Sequence, residues 1–376
     1  MNAMTNAPVT TPTWRTTVAP VGVGLLLAMA VGSLLMLASG RPPGAVWLAM
    51  ITRAFGDSYS VGQILYRATT LVLTGLAVTI ALDAGLFSLA GESQIALATL
   101  AVAAVGAHVP AATSPIVAIA LGLAVASAAG ALLGAALGLL RVFRHAHEVL
   151  VAIMLNAIVA SFALWLGNSY LFERGTMRGP TLPGCITLPS LHIGASPANL
   201  MLVVAIVVAA VWWWVRAHSR LGLLIQLVGQ APEVARLIGV RVGAVRIGVL
   251  MVSGALAGLV AGNVVLGHQH AYEYGLARGA GYWGIAVALI GQRHPAGIAG
   301  AASVVAWLQV GGLSVADIVP KELAEVLIAV VILAMAVAQP LMQRLQAHAS
   351  RHHPVPHDAA TGDAVKPPTA PPTEAT

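Results

Sequence analysis

Long apolar runs recur along this chain at about the length that crosses a hydrocarbon core, and no other feature constrains its fold as tightly. They cover residues 21–39, 65–82, 116–140, 149–171, 200–215, 247–267 and 323–341, with a further run ending near 109 and a broken stretch over 282–310. A helix needs ~20 apolar residues to span the bilayer, whereas barrel strands are shorter and alternate apolar with polar residues. The expectation is an all-α polytopic membrane protein of about ten passes, the broken stretch forming two short spans or one re-entrant hairpin. Composition agrees, because 58% of the residues are hydrophobic and only 9% charged, against roughly a quarter charged in a soluble domain.

The first run follows Arg15 and ends in Leu37-Ala38-Ser39-Gly40, whose small residues would suit a signal peptidase. It is longer than the ~7–15 residues of a signal core, so it reads as a retained first span. Residues 1–20 then form a short lead, 21–342 the membrane domain, and 343–376 a polar tail expected to be disordered. Residues 40–62, with Pro42 and Pro43, read as an extramembrane loop, as do 172–197. Arg15, Arg141, Arg144, the arginines of 216–246, Arg344 and Arg351 fall on one side, expected to be cytoplasmic, with both termini there. The net charge of +6 sits at helix ends and not on a face interleaved with aromatics, so no nucleic-acid partner is expected. Cys185 is the single cysteine, which excludes an intramolecular disulfide.

Two segments interrupt helix where a transporter would place a solute path. One is 83–94, with Gly85, Phe87, Ser88, Gly91, Glu92 and Gln94; the other is 291–297, with Arg293 and Pro295. Unwound backbone is tolerated at membrane depth only beside protein or water. An ordinary turn between spans explains the first segment about equally well. Asn156 and Asn263 lie within spans, where bonding between helices is the plainer role. Glu148 opens a span as an acid favoured by the helix dipole. Phe87, Tyr282 and Trp283 are flat surfaces for a ring, although aromatics near span ends more often anchor at the interface.

Catalytic patterns fail. His147-Glu148 begins H-E-x-x-H, but position 151 is Val151. His268, His270 and Glu273 could bind a metal, yet a solvated loop is the better account, so no metal site is expected. The only lysines, Lys321 and Lys366, follow no glycine-rich phosphate loop. No nucleotide cofactor is therefore expected on this chain, and ATP, if it drives transport, binds elsewhere. Within the basic stretch 216–246, Pro232 to Gly239 reads as a short helix opened by proline and closed by glycine.

Leu73-Thr74-Gly75-Leu76-Ala77-Val78, followed by Gly85-Leu86-Phe87-Ser88-Leu89-Ala90-Gly91-Glu92-Ser93-Gln94, resembles the LTGLAV…GLFNIGAEGQ signature of ABC-importer permeases for nucleosides and simple sugars. His147-Glu148-Val149 through Ile153-Met154-Leu155-Asn156 is similar to NEV…IMLN, and Ser253 to Leu259 to SGALAGL. Gly284 to Gly291 with Pro295-Ala296-Gly297 is similar to GIAVALLG…P-G, and Glu233-Val234-Ala235-x-x-x-Gly239 to the E-A-A-x-x-x-G coupling segment. Ser88 stands for the family's Asn, Ser93 for its Gly and His147 for its Asn.

The resemblance implies a catalytically inactive permease subunit in a bacterial plasma (inner) membrane. It implies a separate ABC ATPase carrying ATP and magnesium and docked on Glu233, Ala235 and Gly239. It also implies a second, different permease completing a heterodimer in the lipid bilayer, and a periplasmic or lipoprotein substrate-binding protein outside. Phe87, Ser88, Glu92, Gln94 and Asn156 are then the candidates for the substrate pathway. The alternative is an ion-coupled secondary transporter using Asp83, Glu92 or Glu148 as a proton carrier.

Overall fold

The computed structural model describes residues 42–317 apart from residue 174, with scattered residues over 26–40 and 326–333. The lead and the tail lie outside the described residues, as do most of the first and last expected spans. Among the described residues the chain is helical and forms no strand, only isolated bridges.

The stretch expected as a loop over 40–62 is largely helix: α1 covers Pro43–Phe55 and α2 begins at Ser58. Pro43 takes the first helical position, where its missing N–H costs nothing. Val46, Trp47, Met50 and Ala54 then recur at helical spacing and bury one face. Proline here opens a helix; it does not mark a turn.

The membrane helices follow the apolar runs. They are α2 (Ser58–Asp83), α3 (Gly91–Gly106), α4 (Pro115–Phe143) and α5 (Glu148–Leu166), then α6 (Met201–His218) and α9 (Val242–Gly258), the latter continued by a wider turn over Gly262–Gln269. The broken stretch resolves unequally into α10 (Ala280–Ile290), too short to span, and α11 (Pro295–Ser314), long enough to do so. Among the described residues six helical segments are long and apolar enough to cross a bilayer, while α3 and α10 are shorter.

Burial separates the centre from the rim. Of their most apolar windows, 78% of α2 and 72% of the α9 segment are buried, against 17% for α5 and for α6. Small residues make the centre possible. Gly130 and Gly134 of α4 lie against the backbone of Gly254 and Leu250 of α9, and Gly258 against Ala126. A methyl group on any of these would meet a main-chain carbonyl. Lipid gives apolar side chains no reason to leave it, so such close backbone approach is what holds membrane helices together.

The basic stretch folds as two helices, α7 (Arg220–Gln230) and α8 (Pro232–Leu237). Ser219 caps α7 by accepting from Gly222 N at 3.1 Å. Pro232 starts α8, and Gly239 beyond it takes φ +83°, a conformation that suits glycine. The loop 172–197 is tied down by backbone bonds: Gly179 donates to Tyr272 O at 2.8 Å and Leu188 to Leu266 O at 2.8 Å. That anchors the segment 270–279, which walls two internal spaces.

Candidate solute pathway and coupling region

Two short helices meet end to end inside this frame. The N-termini of α3 and α10 approach so closely that a Cβ on Gly91 would lie 3.2 Å from Gly281 Cα, and one on Gly281 would strike the Glu92 backbone nitrogen. Two helix dipoles thus point their positive ends at one place. Glu92 answers both. It stands in the first turn of α3, and its carboxylate accepts from Gly279 N at 2.6 Å and Gly281 N at 3.2 Å at the head of α10. Asn156 of α5 completes the junction. Its Oδ1 accepts from Ser93 N at 3.0 Å, and its Nδ2 donates to Leu89 O and Tyr282 Oη, both at 3.1 Å.

Glu92 and Asn156 line one cavity of about 250 Å³, together with Thr99, Tyr274, Arg278 and Tyr282. Ser88 and Gln94 lie elsewhere. They are 4% and 1% exposed and border a space of about 10 Å³, room for a water molecule at most. The Ser88 hydroxyl accepts from Ala90 N at 3.3 Å, shaping the local turn. Phe87 is 37% exposed in that same turn. Segment 83–94 is therefore a helix end, a tight turn and a new helix, with Gly85 at φ +71°. Asn263 serves between helices, donating to Tyr66 O at 3.1 Å and Thr70 Oγ1 at 2.8 Å and accepting from Asn199 Nδ2 at 2.9 Å.

At the C-terminal end of α2, across the turn from Glu92, lies a second junction that sequence reasoning missed. Asp83, its side chain 3% exposed, has Oδ2 3.2 Å from Arg216 Nε at the end of α6. That approach pairs the charges but is misaligned for a hydrogen bond; Arg216 Nη2 to Asp83 Oδ1, at 3.5 Å, is long. Arg216 Nη1 also donates to Arg293 O at 2.6 Å, and Arg293 Nη1 reaches Leu82 O at 3.5 Å. Gln292 and Arg293, at φ 52° and 58°, make the reverse turn between α10 and α11. One arginine thus joins both interrupted segments. Gly229 of α7 packs on the Asp83 carbonyl with no room for a side chain, so α7 belongs to the same cluster. Burial, with Arg216 nearby, holds the His294 imidazole below its ordinary range. Asp83 and Arg216 stand 133 positions apart, and no local pattern announces such a pair.

The α8 surface differs in kind. Ala235 is fully buried against Val228 and Val242, while Leu237 and Ile238 are 87% and 63% exposed. Glu233 bonds Arg236 Nη1 on its own helix at 2.5 Å. The three acids that a proton carrier would titrate are all engaged: Asp83 by Arg216, Glu92 by backbone N–H groups, and Glu148 by Arg141 Nε at 2.8 Å.

Residues 60–336 match the family described as branched-chain amino acid transport system / permease component. This chain belongs to that permease family. It is similar to the guanosine ABC transporter permease of Bacillus subtilis, 30% identical over 335 residues, covering 84% of this chain and 91% of that one. A glucose ABC transporter permease of Haloferax volcanii is 31% identical over 381 residues, covering 94% and 97%. A nucleoside ABC transporter permease of Lactococcus lactis is 27% identical over 333 residues, covering 84% and 89%. No solved structure gives a significant match. The permease is a multi-pass membrane transport subunit and not an enzyme; the ATPase that drives such a permease is a separate subunit, and a substrate-binding protein supplies it.

Proposed function

We propose that this permease carries nucleosides, or related small solutes such as simple sugars, across a bacterial plasma (inner) membrane with both termini in the cytoplasm. The observation that carries the solute class is the similarity, over most of both chains, to permeases named for guanosine, nucleoside and glucose. In this reading α8 is the grip of the ATPase. Its support is the exposed Leu237 and Ile238 at the end of a helix pinned from behind by Ala235, an apolar knob left exposed among the described residues. ATP and magnesium belong to the ATPase. A second, different permease completes the membrane core as a heterodimer, and a periplasmic or lipoprotein binding protein delivers solute.

The path passes the chamber of Glu92, Asn156 and Tyr282, whose polar atoms converge between two short helices. Phe87, Ser88 and Gln94 act one step removed, shaping the turn that aims Glu92. ATPase motion at α8 reaches this turn through α7, Gly229 and Asp83. The assembled complex in sealed vesicles should take up labelled guanosine or glucose only with ATP inside the ATPase compartment. Uptake that follows a proton gradient and ignores ATP would overturn the reading.

A further inference from the structure

Two arginines border a chamber that, among the described residues, no acid lines. Between α2, α10 and α11 lies a half-open cavity of about 580 Å³, bordered by Tyr66, Arg67, Thr70, Arg278, Trp283 and Gln309. That size falls in the range of small-molecule sites. It shares with the Glu92 chamber only Leu276, Ala277 and Arg278, which form the partition between them.

Arg67 is the unusual member. It stands ~14 Å along α2 from Ser58, inside the apolar run, where a charge is costly unless something uses it. Among the described residues its one hydrogen bond goes from Nη1 to Gln309 Oε1 at 3.2 Å, a neutral acceptor. Arg278 lies on the wall with its guanidinium 5.6 Å from the Tyr274 ring centroid. Among the described residues neither arginine has a carboxylate within ion-pair distance, although Glu92, across the partition, is close enough to Arg278 to feel its charge. Glu92 borders only the other chamber. Most of the N–H donors of Arg67 are thus left for a guest, and a guanidinium fork matches carboxylate and phosphate oxygens in pairs.

We propose that this chamber binds the phosphate or carboxylate group of a small water-soluble solute, held by Arg67 and Arg278. Gln309 fixes the Arg67 guanidinium, and Trp283 supplies a flat apolar wall for the remainder of the guest. This goes beyond the transport reading and does not depend on which neutral solute is carried.

The permease, assembled with its ATPase in nanodiscs of phosphatidylcholine, is titrated with guanosine monophosphate and with guanosine, and binding is followed by calorimetry. The monophosphate should bind about tenfold or more tightly than the nucleoside. Arg67→Gln should bring the two to parity, and Arg278→Gln should narrow the gap by a smaller factor. Should Arg67→Gln fail to assemble, Arg67→Lys keeps the charge without the fork and should retain part of the preference. Parity in the wild type overturns the proposal, as does an unchanged preference in the arginine variants. Occupancy seen only after phosphatidylglycerol is added to the disc also overturns it, because the arginines would then serve lipid headgroups. ATP-driven uptake of guanosine and glucose by the same preparation tests the transport reading separately. Its absence sinks that reading and leaves the anion preference standing.

Discussion

Glu92 and Asp83 lie at opposite ends of one turn, and each is a carboxylate that the surrounding helices must satisfy. Glu92 is held by backbone: two N–H groups at the head of α10, with its own helix dipole behind it. Asp83 is held by a side chain, Arg216, which reaches it at 3.2 Å from another helix. The difference teaches what each can do. Backbone donors at a helix end cannot turn away, so the Glu92 junction is fixed for as long as α3 and α10 abut. An arginine has rotatable bonds and a second acceptor already in hand, the Arg293 carbonyl. The Asp83 junction can therefore let go and re-form, as the proposed joint between α8 and the solute path would require.

The comparison can be broken at its most rigid point first. Gly281→Val would push a side chain into the backbone of Gly91 and Glu92. It should cost about 3 kcal/mol and much of the folded yield, as read by size-exclusion chromatography and thermal unfolding in detergent. Wild-type yield would mean that the two helix heads can separate cheaply.

Asp83→Ala leaves Arg216 without its counter-charge. About 2 kcal/mol of destabilisation is expected, below the full cost of a broken buried pair because Arg216 is partly exposed. The double variant with Arg216→Ala should recover part of it. If a double-mutant cycle finds no coupling between the two, the junction is not a joint.

Glu92→Gln keeps one of the two acceptor oxygens, sets an NH2 against the other backbone N–H and removes the charge facing two helix dipoles, for an expected loss of about 1.5 kcal/mol. A loss as large as that of Asp83→Ala would erase the distinction between backbone-held and side-chain-held carboxylates. Glu233→Arg should leave the melting temperature unchanged, since its pairing with Arg236 is a solvent-facing one within a single short helix. Its effect should fall on ATP-driven uptake alone, and undiminished uptake would remove α8 from the coupling route.

Much of this was legible before any coordinates. The run at 65–82 became α2, the run at 116–140 became α4, and Pro232 with Gly239 bracketed α8 as their backbone preferences require. The loop expected over 40–62 was misread because Pro43, a turn residue by habit, is also an ideal first residue of a helix. The broken stretch was recognised as broken, but its unequal division into an 11-residue α10 and a 20-residue α11 was not. Glu92 and Asn156 were singled out by polarity inside apolar surroundings, and both line the same chamber. Ser88 and Gln94 were singled out on the same grounds and lie around a space too small for a solute.

By itself, then, the sequence determined that the chain is a helical, multi-pass membrane protein, where several of its helices begin or end, and to which family it belongs. Apolar length, proline, glycine and ordered motifs all act locally, so one dimension suffices to read them. Which polar group meets which was decided by tertiary structure alone. Asp83 finds Arg216, and Glu92 finds Gly279 and Gly281, only because glycine-lined helices pack close enough to bring distant positions within hydrogen-bond reach. In a hydrocarbon setting an unsatisfied polar group costs several kcal/mol. The fold that survives is the one that pairs them, and that pairing leaves no mark on either residue's neighbours in the chain.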